Sequence, residues 1–148
     1  MNPKVACLSL LLLVSVASAH DEGHGPKLVE SSKQGGVLAS VIEAKDAKLG
    51  PKAAPVYKAE LIRSEVGTVR VYLYDMQMAR LDVSTFDKNA KAMLLAGKKK
   101  SKKMPFSLSL EEGAFIGKAP KASSRPFNIE ITFKEGKRAL LAAFENLD

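Results

Sequence analysis

The chain has 148 residues, a single cysteine and no tryptophan, and its 23 Lys and Arg against 16 Asp and Glu give a formal net charge of +7. That length makes one ordinary domain with a core large enough to fold without cross-links, and one cysteine excludes a disulfide framework. The positive balance favours anionic partners, yet no basic helix or base-stacking aromatic motif accompanies it, so nucleic acid is not an expected partner.

In chain order, Met1 to Lys4 is a short positive region, Val5 to Val16 is almost uninterrupted apolar sequence, and Ala17-Ser18-Ala19 supplies a small-x-small cleavage pattern. This predicts a signal peptide over 1–19 that is removed on export, leaving a periplasmic or secreted product. The apolar run is shorter than the ~20 residues that span a bilayer and nothing later is longer, so no transmembrane segment is expected in the mature chain. Cys7 leaves with the leader. Cleavage makes His20 the first residue and His24 the fifth, and these are the only histidines in the chain. Residues 20–34, with Gly23, Gly25 and Pro26 and little apolar periodicity, read as a flexible tail. A β-domain then occupies 35–148, opening at Gly35-Gly36.

Within that domain the hydrophobic period is two. Phe127, Ile129, Ile131 and Phe133 alternate with Asn128, Glu130, Thr132 and Lys134, which places one face in a core and the other in water. Gly35-Gly36 introduces the apolar run Val37 to Ile42, the same period-two pattern covers Val69 to Leu73 and Phe106 to Leu110, and further strands are expected at Val56 to Ile62, Ala90 to Leu95 and Arg138 to Phe144. A short helix over Asp87 to Leu95 competes for one of these segments, because Lys91, Ala92 and Met93 are good helix formers. Glu135-Gly136 reads as a tight hairpin turn and Gly97 to Lys103 as a longer basic tip. Leu49-Gly50-Pro51 and the stretch from Ala119-Pro120 to Pro126 break any ladder. About seven short strands with polar connections predict an all-β fold, an antiparallel Ig-like β-sandwich.

The order of features resembles the small periplasmic proteins associated with heavy-metal efflux systems. The likeness rests on the His/Gly-rich start, Gly35-Gly36-Val37, Tyr57-Lys58-Ala59-Glu60-Leu61-Ile62, Val69-Arg70-Val71-Tyr72-Leu73-Tyr74-Asp75 and the closing Ala142 to Phe144. It implies an Ig-like fold and a link to metal efflux components, although the glycine-proline turn of that group after Asp75 is replaced by Met76-Gln77-Met78-Ala79. The mature start is also similar to that of the periplasmic copper-resistance protein C family, in which a terminal histidine binds Cu(II). That group's later Asp-x-His pair has no counterpart here, so this likeness bears on the terminus alone.

The residues point to the same end of the chain. A terminal His20 offers its α-amine and imidazole Nδ1, His24 a third nitrogen, and Asp21 or Glu22 an oxygen, a donor set suited to Cu(II) or Zn(II). Lys98, Lys99, Lys100, Lys102 and Lys103 put five charges on one hairpin tip, which reads either as a solubilising edge or as a contact for another envelope protein or an anionic surface. Tyr72 and Tyr74 share one side of a strand and mark a partner face if exposed. Met76, Met78 and Met104 could offer thioethers but are better explained as gap-filling hydrophobes. No histidine or cysteine follows His24, so the nucleophile–histidine centres of hydrolases cannot be assembled in the domain and no enzyme is expected. Gly117-Lys118 lacks the Ser/Thr and first glycine of a phosphate loop. Adjacent Glu111-Glu112 reads as turn charges rather than a catalytic carboxylate pair.

Overall fold

A computed structural model describes residues 25–97 and 102–148. Eight strands account for most of it: β1 Val37–Glu43, β2 Pro55–Arg63, β3 Thr68–Tyr74, β4 Asn89–Ala96, β5 Lys102–Glu111, β6 Ala114–Lys118, β7 Phe127–Glu135 and β8 Arg138–Leu147. All neighbours pair antiparallel, and the sheet closes on itself in the order β1-β2-β3-β6-β5-β4-β7-β8. The all-β, antiparallel expectation therefore holds. The Ig-like sandwich of about seven strands does not: there is an eighth strand, β6, and one closed barrel replaces two stacked sheets. Alternating apolar and polar residues demand only an inside and an outside, which both architectures provide.

Period two is obeyed where it was clearest. Phe127, Ile129, Ile131 and Phe133 on β7 and Val69, Val71 and Leu73 on β3 are all buried in the barrel interior. On β4 the buried residues are Ala90, Ala92, Leu94 and Ala96, with Lys91 exposed between them. Pairing to β5 on one side and β7 on the other overrides the helical preference of that segment. The interior is filled by side chains, as an eight-stranded barrel permits. Tyr57, Phe86, Phe115 and Phe133 form a chain of rings with centroids 5.0 to 6.3 Å apart. Phe86 comes from the long β3–β4 connection, bridges to Glu135 beside the β7–β8 turn and is buried at that end of the barrel. Outward positions such as Lys91, Lys103, Ser107, Ser109 and Lys134 are polar and exposed, the reverse of the apolar-out alternation of outer-membrane barrels. No helix among the described residues is long and apolar enough to cross a membrane.

The turns follow local chemistry with small offsets. The β7–β8 hairpin turns at Gly136-Lys137, with Gly136 at φ 57°, and Glu135 stays in the ladder opposite Arg138. The β5–β6 hairpin turns at Glu112-Gly113, both at positive φ, the conformation that matches the twist of two-residue hairpins. Lys102 and Lys103 pair with Ala96 and Leu95 as the first residues of β5, which shortens the expected tip. Leu49-Gly50-Pro51 lies in a 3-10 segment, Ala44–Lys52, that breaks the ladder between β1 and β2. β6 is five residues long and pairs with β5 only from Leu108 to Glu111, so 102–107 of β5 have a strand neighbour on one side alone among the described residues.

Candidate functional site

β2 alternates in an unusual way. Ala59 and Leu61 face the core, as expected, but the outward Lys58 and Glu60 are buried as well, 2% and 0% exposed. Charged side chains are seldom removed from water without partners, and here the covering layer is the segment 25–36, laid across the outer face of β1 and β2. Glu60 is its main anchor. Its Oε1 accepts the backbone N–H groups of Gln34 and Gly36, each at 2.8 Å, and its Oε2 accepts the N–H of Lys33 at 2.9 Å and the Tyr74 hydroxyl at 3.1 Å. Gly36 is required for this approach, since a Cβ there would stand 2.4 Å from the Leu61 carbonyl oxygen. Burial pushes the Glu60 carboxyl upward, but the N–H groups of Gly36, Gln34 and Lys33 and the Tyr74 hydroxyl prevail and hold it below the ordinary value. Burial, with the Glu60 charge alongside, raises the Tyr74 phenol.

Two further contacts extend the strap towards its start. Lys58 Nζ donates to the Glu30 carboxylate and, at 2.8 Å, to the Met76 carbonyl, and the Lys58 hydrogen bond holds the Glu30 carboxyl below its ordinary value. Ser40 Oγ on β1 donates to the Pro26 carbonyl at 2.7 Å. Gly25 sits so close to β1 that a Cβ on it would lie 3.1 Å from Ser40 Cβ. The segment that follows His24 in sequence is thus fastened to the barrel wall from its first described residue.

The leader 1–19, the proposed donors His20, Asp21, Glu22 and His24, and the tip residues Lys98, Lys99 and Lys100 lie outside the described residues. Lys102 and Lys103 are exposed at the start of β5. Tyr74 is buried, its hydroxyl committed to Glu60, whereas half-buried Tyr72 lies under the Arg80 guanidinium, 4.1 Å from the ring centroid. Arg80 is steadied in turn by the Gly113 carbonyl at 2.9 Å. Met76 is exposed in the β3–β4 connection and Met104 packs against the core. No group of three or more His, Cys, Asp or Glu side chains with metal-holding geometry occurs among the described residues.

Protein-family models, curated proteins and solved structures give no match to this chain. Function must therefore be argued from the residues. Sequence reasoning passed over Lys58, Glu60 and Glu30, although the signal was present: two opposite charges at i and i+2 inside the otherwise apolar run Val56 to Ile62, both on the side of the strand that should face water.

Proposed function

We propose that the chain is an exported, non-enzymatic binding protein of the periplasm whose mature N-terminus, starting at His20, binds Cu(II) or Zn(II) in connection with metal efflux. The donor chemistry of His20, Asp21, Glu22 and His24 supports this reading. The observation that carries it is the strap, because Gly25, Pro26 and Glu30 fasten the chain immediately after His24 to Ser40 and Lys58. Tethering close to the donors lowers the conformational entropy lost when they gather round an ion, and so favours binding over that of a free peptide.

Titration of the mature protein with Cu(II), followed by calorimetry and electron paramagnetic resonance, tests the reading. Nitrogen hyperfine structure is expected, with at least a tenfold loss of affinity in His20→Ala and in a form carrying one extra glycine before His20, which removes the amine chelate and keeps both imidazoles. Affinity should also fall as pH drops through about 6.5, where imidazole protonates. Uptake unchanged by either alteration would refute it.

A second reading is an envelope interaction module that meets an anionic surface or another envelope protein through the tip Lys98, Lys99, Lys100, Lys102 and Lys103 or a sheet face with Tyr72. It draws on the exposure of Lys102 and Lys103 and on the pairing of Ala96 with both Lys102 and Phe127, which puts the start of β5 at one end of the barrel.

A further inference from the structure

At the same barrel end, the β2–β3 turn and the β6–β7 connection are joined by the Ala119 N–H, which donates to the Gly67 carbonyl at 2.9 Å. The turn is closed on itself by Gly67 N–H to the Ser64 carbonyl at 3.0 Å and Ser64 N–H to the Thr68 carbonyl at 2.9 Å. Between these segments runs an open groove of about 790 Å³. Its walls carry Arg63, Lys118, Lys121 and Arg125 against one carboxylate, Glu65.

Two observations favour an anion in this groove. Arg63 is held in place, its guanidinium 4.6 Å above the ring of buried Phe127, which fixes the plane of its N–H fork at the barrel mouth. None of the four cations forms an ion pair among the described residues, with Glu65 on the same wall included, so no carboxylate neutralises them at contact distance. Like charges lining one concavity repel each other, and a bound anion relieves that repulsion.

We propose that this groove binds a cluster of two or more phosphate groups, carried by one soluble ligand or presented by neighbouring lipid headgroups. The Arg fork matches phosphate oxygens bidentately, and lysines add point charges suited to further phosphates. One phosphate would fill a small part of the volume, so a multiply phosphorylated ligand fits the spread of charge. Val66, 74% exposed at the groove's rim, supplies an apolar contact that a lipid would use and a soluble oligophosphate would not.

The proposal is independent of the metal reading, and it adds a built groove to the reading in which the hairpin tip docks. The test is calorimetric titration of the mature protein with tripolyphosphate at 0.1 M salt, together with co-sedimentation on phosphatidylcholine vesicles with and without phosphatidic acid. Lys121→Gln/Arg125→Gln, both at exposed residues, and separately Arg63→Gln should weaken tripolyphosphate binding at least tenfold. Lys91→Gln/Lys134→Gln, on another part of the wall, should change it less than twofold. Vesicle binding that needs phosphatidic acid and fails in the groove variants identifies a lipid headgroup as the source, and tripolyphosphate binding without vesicle binding identifies a soluble one. Absence of binding to either probe overturns the proposal, as does equal weakening by groove and control variants. Loss of binding in Lys102→Gln/Lys103→Gln with the groove variants unaffected also overturns it, while leaving the tip reading standing.

Discussion

Glu60 shows how one side chain can organise a segment that has no secondary structure of its own. It gathers three backbone N–H groups and a phenol on a single carboxylate, and bonds to a charged acceptor are among the stronger ones in a protein. Glu60→Ala leaves those donors without an acceptor and should cost about 3 kcal/mol of stability, measurable by denaturant unfolding; a loss below about 0.5 kcal/mol would contradict the anchor role. The pH dependence follows from the direction of the shift. Because the fold lowers the Glu60 pKa, its contribution is complete above the ordinary carboxylate range and is lost as pH falls through the lowered folded value. Amide-exchange protection at Lys33, Gln34 and Gly36 should therefore collapse on acidification in the parent protein. In Glu60→Gln it should be weak and nearly independent of pH over the same interval. The residue types were visible in the sequence, but their role was not. Alternation says which side of a strand faces away from the core, not whether another part of the chain covers that side.

Among the elements, β6 was the one that sequence pattern did not find, and Gly117 explains why. It occupies an inward position where a side chain would ordinarily signal burial, so the alternation is broken over a strand only five residues long. Its lack of a side chain is the requirement: a Cβ at Gly117 would lie 2.3 Å from the Ser107 carbonyl oxygen and 2.7 Å from a Leu108 methyl group. Gly117→Ala should therefore push β6 away from β5 and destabilise the protein by about 2 kcal/mol or more, with exchange protection falling first at Leu108 to Glu111. Unchanged stability would show that the two strands can separate at little cost. The other strands were legible to within a few residues, because their inward apolar residues recur at every second position, most strictly on β4 and β7. The turn at Gly136-Lys137 and the start of β5 at Lys102 moved relative to expectation since ladder pairing, not local turn preference, decides which residue is last in a strand.

At the scale of the molecule, the fold class was readable and the closure was not. An inward apolar face is the same message for a sandwich and for a barrel, and what distinguishes them here is the pairing of β1 with β8, which matches Val41 with Ala142 from opposite ends of the domain. Such long-range contacts carry a large loop-closure cost before they stabilise anything, so refolding of the barrel domain should take milliseconds to seconds rather than microseconds. Stopped-flow fluorescence from the tyrosines measures it, and microsecond refolding would contradict closure through these distant strands. The brevity of β6 has another outcome. Along 102–107, β5 has a strand partner on one flank alone among the described residues, and an unpaired flank is a template for cross-molecular ladder growth. Lys102, Lys103 and Pro105 stand along that open seam, two charges and a missing N–H that discourage such recruitment. Those residues thereby guard this stretch of β5 against polymerisation.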